Sequence, residues 1–219
     1  MEATAGTRAD RERRFGREPA QETSAEPTAP AVTLADPAPL GLGAFALTTF
    51  VLSFFNAGLL SNTGEPIVLS LSFAYGGLAQ LLAGMWEFRN NNTFGATAFS
   101  SFGAFWLSFA ALNQFFAAKI PSGELGNAVG LYLIAWGIFT AYMWVASFRT
   151  TVAVNLVFLT LAITFFVLGI GQAASSHTVI KAGGWIGIAT AIIAWYASFA
   201  GVTNSTFGRT ILPVRPLMR

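Results

Sequence analysis

Apolar residues in this chain run on without a break for stretches of twenty or more positions. They show neither strand alternation nor a polar helical face. Six such runs occupy about 39–60, 66–87, 94–117, 127–148, 151–173 and 179–201. A helix needs roughly 20 apolar residues to cross a bilayer core, so each run predicts one transmembrane helix. The breaks read as turns: "SNTGEP", "RNNN", "KIPSGELG", "FRTT" and "SSHTVIK". Links of this length join antiparallel neighbours in a helix bundle. The other spanning solution, a closed β-barrel, needs alternating segments of about ten residues, and these runs are continuous and too long. The pattern predicts an all-α membrane protein with six transmembrane helices.

Either side of that block the pattern changes. Residues 1–35 are rich in Ala, Glu, Arg, Pro and Thr, with almost no large apolar side chain. Such a segment buries too little surface to offset its ordering entropy, so it is expected to be a disordered cytoplasmic tail. The membrane domain is expected over 36–213, followed by a short cytoplasmic C-terminal tail at 214–219.

Composition supports lipid as the solvent. The 219 residues are 54% hydrophobic and 10% charged, with 21 Phe. Soluble domains carry about 25% charged residues. The charges are also segregated: 7 of the 10 acids lie in residues 1–36. With the N-terminal tail inside, five tail arginines, Arg89, Arg149, Arg209, Arg215 and Arg219 fall on the cytoplasmic side, and only Lys119 and Lys181 fall outside. This asymmetry fixes the expected orientation, with both termini cytoplasmic. No basic stripe interleaved with aromatics exists, so nucleic acid is not an expected partner. There is no Cys, which excludes disulfides and thiolate chemistry.

Small residues recur at helical spacing: Gly183, Gly187 and Ala191; Gly77 and Gly84; Gly130, Gly137 and Ala141. Helices in lipid associate where small residues let backbones approach, so these positions predict tight helix contacts. Reactive chemistry is sparse. No Lys or Arg lies well inside a predicted span, and the single His177 falls in an outside loop. No catalytic triad, metal-binding motif, phosphate loop or carboxylate pair occurs. An enzyme is not expected, and no cofactor or metal is implied. The intramembrane polar residues are amides, Asn56, Gln80 and Asn155 among them, with Ser and Thr. In lipid such groups are either interhelical glue or a solute path. Glu87, in "GMWEFRNNN", reads either as an interfacial carboxylate paired with Arg89 or as a gating or proton-coupling group.

The start of the first run reads "DPAPLGLGAF". Asp36 is a favourable N-cap, and Pro37 and Pro39 fit the first turn, where a backbone N–H has no partner in any case. The prolines therefore start the helix. Its free N–H groups and positive dipole end would suit an anion, and Gly41 and Gly43 would permit close approach.

That decapeptide resembles the signature N-P-A-P-L-G-L-x-x-F of the acetate uptake transporter family, the succinate–acetate permeases. "FAYGGLAQLLAGMWEFRNNNTFGATAFSSFGAFWLS", "LYLIAWGIFTAYM", "AGGWIGI" and "FGRTILP" follow in the family's order. The similarity covers about 36–213. It implies a six-helix protomer with its own pore, assembled as a homo-hexamer, passing acetate and in some members succinate or other short carboxylates. Both proton-coupled and channel-like modes are implied. By the flanking motifs, the family's hydrophobic constriction falls on Phe45, Phe102 and Leu161, with Phe102 standing where Tyr is usual. Ala194 falls on a small position that tunes which substrate fits. The entrance motif falls on Asp36, Pro37, Ala38, Pro39, Leu40, Gly41 and Leu42, with Asp36 replacing Asn. A rival reading, a non-transporting scaffold or acid sensor, rests on the charged tail alone.

Overall fold

In a computed structural model, residues 34–218 are described. Among the described residues, six helices are long and apolar enough to cross a membrane. They are α1 (Ala38–Asn56), α2 (Ile67–Arg89), α3 (Thr93–Lys119), α4 (Ser122–Arg149), α5 (Val152–Ala173) and α6 (His177–Phe207). Each predicted run contains one helix. The largest difference is at the end of α6, which continues six residues past 201. Polar Thr203, Asn204, Ser205 and Thr206 extend it until Gly208, at φ +62°, ends it in the left-handed conformation that glycine adopts at little cost. The predicted tail lies almost wholly outside the described residues.

Two spans are not uniform α-helix. In α2 a wide, π-type stretch runs over Ala74–Ala79, and in α3 another runs over Leu112–Phe116. Such insertions re-aim the side chains that follow them. α1 packs most extensively against α6, α4 against α5, α5 against α6, and α2 against α3.

The contacts form at small residues. A Cβ on Gly184 would collide with the Ala57 backbone nitrogen, and one on Gly84 with Ser100. Gly130 sits against Ala173 and the Gly169 carbonyl, and Gly137 against the Phe166 ring. Gly184, which the four-residue spacing did not select, lies against the end of α1, as Gly187 lies against Ser53.

The two ends of the bundle differ. At one end the chain leaving α6 pairs with the α4–α5 turn: Val152 N–H donates to Arg215 O at 2.9 Å, and Leu217 N–H to Thr150 O at 2.9 Å. Asn204 holds the same segment, accepting from the Ile211 and Leu212 N–H groups at 2.7 and 2.9 Å and donating to Leu212 O. At the other end, Gly58 in the α1–α2 turn packs against Lys181 at the start of α6. Arg215 and Lys181 thus lie at opposite ends, as alternating helices require.

The core is aromatic. Phe45, Phe55, Phe102, Phe105, Trp106, Phe158 and Phe165 are buried together. Leu131, Ile138 and Val145, spaced by seven on α4, face outward and are 71%, 58% and 62% exposed, as a lipid- or subunit-facing stripe should be.

Candidate functional site

The first turn of α1 is built as a cap. Asp36 Oδ1 accepts the Ala38 N–H at 2.9 Å, and the Gly41 N–H donates to Pro37 O at 3.1 Å. Pro37 and Pro39 occupy positions where no N–H is missed. The turn is then gripped from two sides. Ser198 Oγ on α6 donates to Pro39 O at 2.6 Å, and Gly201 leaves room for the Pro39 ring. On the other side Gly41 lies flat on Phe99 of α3, whose ring carbons would be 2.6–2.7 Å from any Cβ placed there. Ala38 and Leu42 pack into a small cluster with Phe99 and Ala197. Leu40 points outward. The glycine that matters most for packing in this motif is therefore Gly41.

One turn further in, Phe45 meets Phe102. Their ring centroids are 6.0 Å apart, inclined at 52°. Phe45, Phe102 and Leu161 come from α1, α3 and α5, and none is more than 4% exposed. Phe102 is caged by aromatic rings: Phe139 at 5.4 Å, Phe158 at 5.9 Å, Trp136 at 6.2 Å, and Phe165 stacked at 6.5 Å.

Hollows lie on both sides of this cluster. A cavity of about 310 Å³ is lined by Phe45 and Leu161 together with Thr49, Ser53, Asn56, Glu65, Asn113 and Gln172. On the other side a hollow of about 20 Å³ is lined by Leu42, Phe45, Gln80, Phe99, Phe102 and Leu161 among others. Phe45 and Leu161 border both spaces.

Each space also holds a buried polar atom with no partner. Thr49 Oγ1 is unsatisfied in the wall of the large cavity, and Gln80 Oε1 is unsatisfied in the wall of the small one. Buried polar groups are normally hydrogen-bonded, and both of these oxygens lie just behind the wall, out of contact with the space itself. Thr49 was legible in principle: it lies four residues after Phe45, on the same helical face.

The remaining candidates separate. Asn56 lines the large cavity. Asn155 lines neither space; its Nδ2 donates to Ser147 Oγ at 2.8 Å, tying α5 to the end of α4. Ala194 is fully buried in the aromatic core. Asp36, Pro37, Ala38 and Pro39 lie beyond the small hollow, which Leu42 reaches.

Glu87 is fully buried at the same end as the α1 cap. Its carboxylate packs beside the Asn92 side chain, over Gly95, where a Cβ would lie 2.7 Å from Oε1. Neither oxygen makes a hydrogen bond of good geometry, so the expected pairing with Arg89 does not form. Burial turns the side chain inward, and Arg89 lies two residues further along the helix, on a different face.

A profile of the GPR1/FUN34/yaaH family matches residues 20–219. The chain belongs to that family. Acetate permease A of Emericella nidulans is 47% identical over 195 residues, covering 82% of this chain and 65% of that relative. The succinate-acetate/proton symporter SatP of Escherichia coli K12 is 39% identical over 181 residues, covering 83% of this chain and 95% of that relative. The chain spans 64% of the length of two Saccharomyces cerevisiae relatives. Among solved structures, the bacterial acetate channel SatP superposes with a TM-score of 0.78 at 37% identity, covering 83% of this chain and 99% of that one. The six-helix fold is therefore that of this family, and the protein is a multi-pass membrane protein.

Proposed function

We propose that this chain passes acetate, and with it succinate or other short carboxylates, across a membrane through a path inside each protomer. The observation that carries the reading is the Phe45–Phe102–Leu161 cluster, whose Phe45 and Leu161 border both a largely apolar cavity with a few polar groups in its wall and a second small hollow in one subunit. The likeness to proteins named acetate permease, succinate-acetate/proton symporter and acetate channel supports the substrate class. In the described residues no Lys or Arg lines either space, so no full counter-charge awaits an anion. Desolvating a bare carboxylate is costly. Neutral donors and acceptors such as Thr49, Asn56 and Gln80, or a co-transported proton, would take that role. The greasy constriction excludes hydrated ions and bulky acids, and Ala194 keeps the helix behind it close.

Glu87 is the proposed gating or coupling group, being an unpaired buried carboxylate near the cap of α1. The proposed setting is a plasma (inner) membrane, as expected of a carboxylate permease, and the charge asymmetry supports cytoplasmic termini. Assembly as a homo-hexamer would use outward apolar faces such as that of α4. No enzymatic role is proposed. The rival scaffold or sensor rests on residues 1–35, nearly all of them outside the described region.

The test is uptake of labelled acetate by proteoliposomes at several external pH values. Uptake above protein-free liposomes is expected, and equality with them overturns the reading.

A further inference from the structure

A second cavity, of about 220 Å³, adjoins the α1–α2 turn, and three of its lining residues, Glu65, Phe109 and Asn113, also line the large cavity. These three form the shared wall between the outer recess and the space that leads to Phe45. We propose that Glu65 is a titratable selector at this mouth: protonated, it donates a hydrogen bond to an arriving carboxylate; ionised, it repels it. The inference rests on the reading of the cavity as a carboxylate path.

Three observations carry it. Among the described residues, Glu65 is the only charged side chain lining either cavity. It sits in a fixed place: its N–H donates to Asn62 O at 3.1 Å, its carbonyl accepts from Val68 N–H at 2.9 Å, and Pro66 follows it immediately at the start of α2. Its carboxylate has no hydrogen bond or ion pair among the described residues, which leaves it free for a solute.

The groups facing it from neighbouring elements are neutral. Asn62 and Asn113 are amides. Tyr132, the other titratable group in the large cavity, holds its hydroxyl 2.7 Å from Ser108 Oγ. The charged or titratable residues elsewhere at this end, Lys119, Glu124, His177 and Lys181, line neither cavity, and Lys119 lies over the Phe116 ring at 5.2 Å. Half-burial alone pushes the Glu65 carboxyl above the ordinary range. The protonated form therefore persists to higher pH than on a free chain, and it is lost as pH rises further. Sequence reading passed over Glu65 because it falls in a turn.

The test is exchange of labelled acetate by proteoliposomes at equal pH on both sides, from about pH 5 to about pH 8, less the rate of protein-free vesicles. Equal pH removes any gradient and makes insertion orientation immaterial. Each protein is scored by the ratio of its own rates at the two ends of the range. In Glu65→Gln, which keeps a neutral donor at every pH, the fall is expected to be about fivefold smaller than in the wild type, the scale of a like-charge contact at about 4 Å in a water-filled mouth. Glu65→Asp should retain the wild-type fall. Superimposable profiles for wild type and Glu65→Gln overturn the role of Glu65 and leave the transport reading standing. No exchange by the wild type at any pH overturns both.

Discussion

Phe45 and Phe102, 57 residues apart in the chain, bring their rings to 6.0 Å, and Leu161 joins them from a third helix. The large cavity and the small hollow meet at Phe45 and Leu161. Removing the Phe45 ring would merge the two spaces. Phe45→Ala is expected to raise lactate uptake relative to acetate, while costing about 3–5 kcal/mol of stability as a large-to-small core change. Labelled uptake of the two acids by the same proteoliposomes checks it; an unchanged ratio removes Phe45 from the constriction.

The two glycines of the entrance motif should not behave alike. A Cβ on Gly41 would meet Phe99 ring carbons at 2.6–2.7 Å. At Gly43 the nearest atoms are two hydroxyl oxygens, Ser198 Oγ at 3.1 Å and Tyr75 Oη at 3.4 Å. Gly41→Ala must displace Phe99, which walls the small hollow, at a cost of about 1–3 kcal/mol. Gly43→Ala should cost less than half of that. Melting temperatures in detergent, with acetate uptake for each variant, distinguish the two; equal effects would show that the ring moves freely.

Glu87 offers a test of charge without volume. An unpaired ionised carboxylate in a dry site is destabilising, and glutamine has nearly the same shape. Glu87→Gln is expected to melt higher than the wild type near neutral pH. If Glu87 couples protons to flux, the variant also loses the pH dependence of acetate uptake. A lower melting temperature at every pH would mean that the charge is satisfied by something else.

Asn204 fastens the segment after α6 with three hydrogen bonds, to Ile211 N–H, Leu212 N–H and Leu212 O. At about 1 kcal/mol each, their loss in Asn204→Ala should loosen residues 209–217 from the α4–α5 turn. Faster tryptic cleavage after Arg209, with α6 itself intact, is the expected result; Arg215 precedes Pro216 and is not a tryptic site. An unchanged cleavage rate would assign the hold to the Thr150–Val152 pairing instead.

How much of this was legible in the chain depends on the range of the signal. Hydropathy is a local property, and it placed all six spans, the turns between them and the proline-assisted start of α1 at Asp36 and Pro37. The cluster of Phe45, Phe102 and Leu161 came from likeness to a family pattern. No periodicity singles them out, because in lipid the inward and outward faces of a helix are both apolar. Phe102 is caged and Phe199 is 60% exposed, yet nothing in their neighbourhoods along the chain distinguishes them. The same blindness covers the polar residues. Asn155 and Gln80 look alike in sequence, but one is paired with Ser147 and the other lines a hollow.

The amino-acid sequence by itself determined the number of spans, their approximate places and their solvent, because some twenty largely apolar residues in a row have one stable place to be. Only the tertiary structure decided which small residues touch, which carboxylate is buried without a partner and which turn residue faces a cavity. Those outcomes depend on the rotation and depth at which helices lock together, set by shape at contacts such as Gly184 on Ala57 and Gly41 on Phe99.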